Sequence, residues 1–129
     1  MDKLAFYRQS VRDLLIRYHA DEKPKPERES QLVFNEQRDR YLWLYVGWEG
    51  SQRIYFTVVH FDIKEGKIWL QQNATDLNPA EDLVAMGIDR QDIILGLQPP
   101  FKRPYTNYGV AWFFPSEANF NHRLISINT

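Results

Sequence analysis

The most constraining feature of the sequence is a run of four apolar segments separated by very short polar connections. The segments lie at residues 31–35, 41–48, 53–63 and 67–73, and they are rich in β-branched and aromatic residues. Parallel neighbours need a crossover of a dozen residues or more, whereas antiparallel neighbours can be joined by a tight turn. The spacing therefore predicts a four-stranded antiparallel meander.

An amphipathic helix is predicted before the meander, over residues 2–20. Apolar side chains recur there at the three- and four-residue spacing of one helix face: Leu4, Tyr7, Val11, Leu14, Leu15 and Tyr18. Asp2 is the predicted N-cap, because its carboxylate can accept from the free backbone N–H groups of the first turn. The helix is expected to pack on the sheet.

A second helix is predicted after the meander. Asn78 has the character of an N-cap, Pro79 suits the first helical position, and Glu81 can complete a capping box. Gly87 is the predicted stop, as a left-handed residue just past the helix. The remaining strand candidates are short: 93–97, 110–114 and 124–127.

The chain is predicted to form a single domain over residues 1–129, because one hydrophobic core is normal at this length. Residues 21–30 hold two prolines and seven charged residues, which predicts a solvated connection. Residues 111–129 form a variable C-terminal tail. The fold class is α+β: an N-terminal helix, a four-stranded antiparallel meander, a second helix and further short strands.

The absence of cysteine excludes several kinds of site at once: disulfide scaffolds, iron–sulfur clusters, thiolate zinc sites and cysteine nucleophiles. No apolar run approaches the roughly 20 residues that span a bilayer, and the first residues lack the apolar core of a secretory signal. We therefore expect a cytoplasmic protein without a membrane segment. The formal net charge of −1 weakens, without excluding, direct binding to nucleic acid.

Both faces of the predicted sheet are apolar or aromatic, which is unusual for a single antiparallel layer. Strict alternation puts Tyr41, Trp43 and Tyr45 on one face of the second strand. On the third strand, strict alternation puts Tyr55 and Val59 on the same face.

Three explanations of this two-sided apolar sheet remain open. The C-terminal tail covers the face that the helices leave, another chain covers an aromatic face, or bases of single-stranded nucleic acid stack on it. Under the second explanation, a different protein or a second copy of this chain binds the candidate interface formed by Tyr41, Trp43, Tyr45 and Tyr55.

His60 and Asp62 share a strand face two residues apart, and they form the best candidate for acid–base or ligand chemistry. No histidine has a second histidine or a cysteine at metal-ligand spacing, so no metal site is predicted. No nucleophile elbow, P-loop or dinucleotide motif occurs, so no cofactor and no catalytic residue are predicted either. A single structural hydrogen bond between His60 and Asp62 is the preferred interpretation.

One stretch, residues 101–108, combines basic and aromatic side chains. Lys102 and Arg103 could hold phosphate while Tyr105 stacks on a base, which makes these three the candidate nucleic-acid contacts. The alternative is a surface turn whose aromatic residues tuck onto the sheet, and this alternative is preferred.

Three long segments follow the pattern of a known family: QLVFNEQRDRYLWLYVGWEG, RIYFTVVHFDIKEGKIWLQQNATD and AEDLVAMGIDRQDIILGLQPPFKRPYT. With the start of the chain they cover nearly all of residues 1–108. Their most specific parts are short: residues 46–48, 60–64, 67–69, 92–96 and 105–106. In these segments the chain resembles the XisI-like family, the fdxN element excision controlling factor proteins. The tail from about Ala111 departs from the family's usual short ending.

The resemblance implies an accessory role. The founding members of this mainly cyanobacterial family are required, with a second protein called XisH, for programmed excision of a DNA element during heterocyst development. A site-specific recombinase performs the excision, and the family resembles accessory or directionality factors with no assigned catalytic residues. The family fold is α+β with an antiparallel sheet, in agreement with the residue-based prediction.

Three functional hypotheses follow. The preferred one is a non-enzymatic controlling factor for DNA recombination that assembles with an XisH-like partner and contacts DNA indirectly. The second is a DNA-binding directionality factor that uses Lys102, Arg103, Arg38 and Arg40. The third is a small-ligand-binding domain or an enzyme that uses His60 and Asp62.

Overall fold

A computed structural model describes residues 2–111 and shows a five-stranded sheet with two α-helices on one face. In chain order the elements are α1 (Lys3–Asp21), β1 (Arg28–Asn35), β2 (Arg40–Glu49), β3 (Gln52–Lys64), β4 (Lys67–Asn73), α2 (Pro79–Ala85) and β5 (Ile93–Leu95). Short 3₁₀ helices occupy Arg90–Asp92 and Pro100–Tyr105. The α+β prediction is confirmed. Within this part of the chain, neither α-helix has the length and apolarity needed to cross a membrane.

The strands lie side by side in sequence order, β1-β2-β3-β4-β5. The first four are antiparallel, as predicted, and β5 pairs with β4 in parallel, with Ile68 opposite Ile93. Parallel pairing is possible because residues 74–92, which include α2, form the crossover. The strand candidate at 124–127 lies outside the described residues, and so does most of the candidate at 110–114.

β1 begins at Arg28 instead of the predicted Gln31, so the connection after α1 is shorter than residues 21–30. The charged composition hid the start of the strand, whose first residue pairs with Gly47 near the end of the ten-residue β2. Glycine is required at position 47, because a Cβ there would lie 2.1 Å from the carbonyl oxygen of Glu27. The same oxygen accepts a hydrogen bond from Trp48 N at 2.9 Å.

The hydrophobic core lies between α1 and one face of the sheet. Asp2 caps α1 as predicted, since its carboxylate accepts from Leu4 N at 3.2 Å. The side chains that α1 buries include most of the predicted apolar stripe: Tyr7, Ser10, Val11, Leu14, Leu15 and Tyr18. The predicted limits of α2 hold as well, with Asn78 Oδ1 accepting from Glu81 N at 3.2 Å and Gly87 at a φ of +105° just past the helix.

A β-bulge in β3 interrupts the strict alternation on which the predicted faces depended. Trp43 of β2 pairs with Val59, but the next β2 residue, Leu44, pairs with Thr57. Val58 therefore has no partner residue on β2, and the side chains of β3 exchange faces at this point.

The bulge places Phe56, and not Tyr55, beside Tyr45. We call the side that α1 covers the inner face; it carries Tyr41, Trp43, Tyr45, Phe56, Val59 and Phe61. We call the other side the outer face; it carries Leu42, Leu44, Val46, Trp48 and Tyr55. The predicted alignment of Tyr55 with Val59 is wrong, because the sequence gives no sign of the extra residue.

One buried carboxylate ties α1 to the far end of the sheet. Asp92 accepts a hydrogen bond from the hydroxyl of Tyr7, and it forms ion pairs with Lys3 at 2.8 Å and Lys67 at 3.1 Å. Burial alone would raise the pKa of this carboxyl, but the hydrogen bonds from Lys3, Tyr7 and Lys67 outweigh it and lower the pKa to about 2. The ionised group therefore stabilises the fold.

The packing of α1 predicts a sharp contrast between two positions of the helix. Leu14 is fully buried, so Leu14→Ala should lower the free energy of unfolding by about 2–5 kcal/mol. Ile16 is 48% exposed, so Ile16→Ala should change it by no more than about 0.5 kcal/mol. Urea unfolding followed by tryptophan fluorescence measures both, and equal effects would contradict the assignment of the buried face.

Asp92 predicts a pH-dependent stability difference. Its pKa is lower in the folded chain than the ordinary 3.8, so its contribution is full above that value and is lost as the pH falls through about 2. Asp92→Asn should therefore lower the free energy of unfolding by on the order of 2 kcal/mol near neutral pH, and by much less near about pH 2. Urea titrations across this pH range measure the difference in free energy of unfolding between the unsubstituted chain and Asp92→Asn. This difference must become smaller as the pH falls.

Candidate functional site

Two of the four predicted interface residues are core residues. Tyr41 and Trp43 are buried on the inner face, beneath α1. Their polar atoms are also engaged: the Tyr41 hydroxyl donates to Asp39 Oδ1 at 3.0 Å, and Trp43 Nε1 donates to Ser30 Oγ at 2.7 Å. The structure therefore removes both residues from the candidate partner interface.

Tyr45 lies at the margin of the same inner face. Its ring meets Trp43 and Phe56 edge-on, with ring centroids 5.7 and 5.4 Å apart, and the guanidinium of Arg28 lies 4.1 Å from its centroid. Burial, followed by a hydrogen bond to Glu22, raises the pKa of Tyr45 to about 12. Tyr45 is thus half-buried and held in place by its neighbours.

Tyr55 is the predicted interface residue that the structure exposes, with 68% of its surface in solvent. It stands on the outer face with Trp48, which is 48% exposed. The guanidinium of Arg53 lies over both rings, 5.3 Å from the centroid of Trp48 and 5.8 Å from that of Tyr55. Arg53 also donates to the carbonyl oxygen of Gly47 at 3.3 Å, which fixes its position at the strand end.

We call Trp48, Arg53 and Tyr55 the aromatic corner. Tryptophan, tyrosine and arginine are the residue types most enriched among binding hot spots. The half-buried side chains of Leu44 and Val46 continue the apolar surface from this corner across the outer face. The arrangement suits a protein partner, because it offers rigid aromatic area and a cation at its edge.

Residue-by-residue interpretation missed Trp48 and Arg53. Both flank the predicted turn at residues 49–52, and each precedes or follows it by one position. A signal was present, because in a tight hairpin residues at equal distances from the turn face each other. Trp48 does pair with Arg53, so this pairing can be predicted from the sequence without knowledge of the bulge.

The candidate pair His60 and Asp62 forms the predicted hydrogen bond, His60 Nε2 to Asp62 Oδ1 at 2.7 Å. Gln71 Nε2 donates to the other carboxylate oxygen at 3.1 Å, and Arg40 and Lys64 approach the carboxylate at 3.5 and 3.7 Å. Burial alone would raise the pKa of Asp62, but the hydrogen bond from His60 and the charge of Arg40 keep it below its ordinary value.

The Asp62 carboxylate is thus an ionised group enclosed by side chains of β2, β3 and β4. An arrangement of this kind links strands, whereas a general base needs a path to its substrate. Within residues 2–111, no group of three or more histidine, aspartate and glutamate side chains could hold a metal ion.

The basic and aromatic stretch at 101–108 does not form one surface. Arg103 is buried, and its guanidinium lies 5.2 Å from the ring centroid of Trp69. Its nitrogens donate to three backbone carbonyls, those of Leu95 at 3.2 Å, Gln98 at 3.1 Å and Ala111 at 2.6 Å. Arg103 therefore holds the chain after β5 in place, and the prediction that it contacts phosphate is wrong.

The other candidate nucleic-acid contacts differ in their surroundings. Lys102 is exposed, and Tyr105 is 89% exposed on the same 3₁₀ helix. Arg38 is exposed in the turn between β1 and β2, while Arg40 is committed to Asp62. A continuous basic groove with stacking rings is not what these positions provide.

The family model described as XisI protein matches residues 1–110. The chain belongs to the XisI family. A crystal structure of a XisI-like protein from Anabaena variabilis is similar at 56% identity and a TM-score of 0.81, over 84% of this chain and 99% of that one. A second crystal structure, of fdxN element excision controlling factor XisI from Anabaena variabilis, is similar at 35% identity and a TM-score of 0.77, over 85% of this chain and 100% of that one. No curated protein matches the chain.

Arg103 predicts a structural phenotype rather than a binding phenotype. Lysine cannot reproduce the forked donors of arginine, so Arg103→Lys should lower the free energy of unfolding by about 1–3 kcal/mol. Lys102→Ala, the exposed neighbour, should change it by no more than about 0.5 kcal/mol. Chemical unfolding of both variants decides the matter. An Arg103→Lys protein of unchanged stability would contradict this assignment.

Proposed function

We propose that the protein is a non-catalytic controlling factor for the excision of a DNA element, and that it acts by binding an XisH-like protein. The observation that carries the proposal is the exposed aromatic corner on the scaffold of a XisI-family chain. One similar structure is that of an fdxN element excision controlling factor, which supports a role beside the recombinase rather than in its place. We place this role in the cytoplasm of a cyanobacterium and in heterocyst differentiation, where the resemblance locates the family.

Side-chain geometry supports binding over catalysis. The pair best suited to acid–base chemistry, His60 and Asp62, is committed to a network that joins three strands. At the hairpin between β2 and β3 the exposed side chains are instead large and aromatic, Trp48 and Tyr55, with Arg53 between them. Such residues contribute to affinity when a partner excludes water from them.

Charge supports a protein partner over direct contact with DNA. The chain has a formal net charge of −1. The basic side chains of the described region are largely paired with carboxylates, as Arg8 is with Asp39 at 2.8 Å and Arg28 is with Glu22 at 3.2 Å. DNA binding relies on a cluster of cations that neutralises several phosphates at once. Control of excision through a DNA-contacting partner is therefore the better-supported route.

The aromatic corner predicts which substitutions weaken the complex. With a co-encoded XisH-like protein, Trp48→Ala and Tyr55→Ala should each raise the dissociation constant at least about tenfold, because hot-spot aromatics contribute about 2 kcal/mol or more each and about 1.4 kcal/mol corresponds to a factor of ten. Tyr105→Ala, which removes an even more exposed tyrosine elsewhere, should leave the dissociation constant unchanged. Isothermal titration calorimetry measures the constants, and light scattering gives the stoichiometry.

Three results would count against the proposal. The absence of any complex with the XisH-like protein would remove its central step. A dimer of this chain alone, lost on Trp48→Ala, would make the corner a homo-oligomer contact. Binding to duplex DNA that weakens steeply with salt would favour the directionality-factor hypothesis.

A further inference from the structure

β3 is much longer than β4, its neighbour on one side, and this difference leaves part of the β3 edge uncovered. β3 pairs with β2 from Gln52 onward, but β4 pairs only with Val59–Lys64 of β3. The chain leaves β4 after Asn73, and Ala74 N donates to Val58 O at 2.8 Å. Residues 52–56 therefore have a strand on one side only, among the residues that the structure describes. We call this segment the open edge.

The direction of the backbone groups along the open edge follows from one hydrogen bond. Trp48 N donates to Glu27 O on the β1 side, so Gly47 and Tyr45, which alternate with Trp48, direct their backbone groups to β3. The residues opposite them in β3 are Ile54 and Phe56, whose backbone groups point to β2.

The alternate residues of the open edge, Arg53 and Tyr55, therefore direct their N–H and C=O groups away from the sheet. The same alternation explains why the carbonyl of Thr57 points away from β2, where it accepts a hydrogen bond from Gln72 Nε2 of β4 at 3.5 Å. Four backbone groups, two donors and two acceptors, are thus aligned for an additional strand.

The edges of the two outer strands of the sheet are engaged in part by other groups of the chain. In β1 the carbonyl of Ser30 is bonded by His19 at 3.0 Å, and Arg28 N donates to Lys25 O at 3.4 Å. β5 is only three residues long, and Gly109 N donates to Ile93 O at 2.8 Å. Proteins usually guard exposed edges with short strands, proline or charged residues. The open edge has one charge, Arg53, and no proline.

The open edge carries a large aromatic side chain on each face. Tyr55 is exposed on the outer face, and Phe56 is 42% exposed on the inner face. A strand placed beside them would bury both rings at once, because neighbouring residues of a strand point to opposite faces. Arg53 lies at one end, so an acidic side chain in the added strand would meet an opposite charge there.

We propose that the open edge is a strand-docking site for an extended segment of the partner protein. The segment is about five residues long, alternates large apolar side chains on its two faces and carries a carboxylate opposite Arg53. Its backbone bonds to Arg53 and Tyr55, and its side chains extend the contact that the aromatic corner begins. This inference rests on the proposed function, because it takes the XisH-like protein as the donor of the segment.

Two registers for self-pairing of the open edge with a second copy are blocked by geometry. A two-fold centre at Tyr55 sets the hairpin end opposite Val58 of the other copy, a position already filled by that copy's Ala74. A centre at Arg53 avoids this overlap but sets the two guanidinium groups directly opposite each other, and like charges in that position are destabilising. A two-fold centre at Ile54 avoids both conflicts and sets Arg53 opposite Tyr55 of the other copy, so fast exchange of the Tyr55 amide in the isolated chain is the result that excludes a second copy as the occupant.

Residue-resolved amide hydrogen exchange tests the site directly. In the isolated chain, the amides of Arg53 and Tyr55 should exchange fast, while those of Ile54 and Phe56 should be protected by β2. On addition of the purified XisH-like protein, the Arg53 and Tyr55 amides should slow by at least about tenfold, because each becomes a hydrogen-bond donor in the sheet.

Substitution of one residue separates the backbone from the side chain. Tyr55→Ala removes the ring and keeps the N–H, whereas Tyr55→Pro removes both, and proline is tolerated at an edge position whose N–H faces solvent. Tyr55→Pro should bind the XisH-like protein about two- to tenfold more weakly than Tyr55→Ala, with circular dichroism confirming that both are folded. Equal affinities would overturn the backbone pairing.

The remaining outcomes separate the two proposals. A complex in which the Tyr55 amide still exchanges fast would overturn the strand-docking site and leave the proposed function standing. The absence of a complex would overturn both. A Tyr55 amide that is slow in the chain of 129 residues and fast in a chain ending at Ala111 would identify this chain's own C-terminal residues as the occupant. Protection of the Tyr55 amide by a single-stranded oligonucleotide would instead identify nucleic acid as the occupant. Occupancy by the C-terminal residues or by nucleic acid would overturn the inference.

Discussion

The bulge at Val58 decides which side chains of this sheet are core and which are surface. Val59 and Phe61 pack beneath α1, and without the extra residue strict alternation would send Tyr55 to the same side. One unpaired residue therefore turns the aromatic side chain of Tyr55 out to solvent and places Phe56 against Tyr45. Bulges also increase the local twist of a strand, which suits a hairpin that extends beyond its neighbours. The core and the aromatic corner both depend on it.

Local patterns in the sequence were sufficient for most of the fold. The stripe on α1, the caps of α2 and the meander all follow from spacing and turn residues within a few positions of one another. The bulge could not be predicted from such local patterns. The alternation of side chains is counted along one strand, whereas an unpaired residue is recognised only from the pairing of that strand with the adjacent strand. The unpaired residue explains why the sequence pattern groups Tyr55 with Tyr41 and Trp43 in one interface, although Tyr55 is exposed and the other two are buried.

Arg103 and Asp62 show why charged residues near aromatic ones are ambiguous in a sequence. A buried charge needs hydrogen bonds and often a ring beside it, and a ligand site offers the same residue types. Arg103 bonds three carbonyls above Trp69, and Asp62 is enclosed by His60 and Gln71. Both are distinguished from binding residues only by burial, which depends on contacts between distant parts of the chain.

The structure divides its interactions between its two ends, and this division favours binding at the hairpin. At the β4–β5 end, charged side chains such as Asp92 and Arg103 join elements that are distant in sequence. At the other end, β2 and β3 extend together, and the chain just before β1 supports them through the close approach of Glu27 to Gly47. An aromatic corner held on such a frame loses little conformational entropy when a partner covers it, because its backbone is ordered before the encounter. A strand added to the open edge would likewise meet groups that are already aligned, so the affinity of both contacts depends on the rigidity of the scaffold.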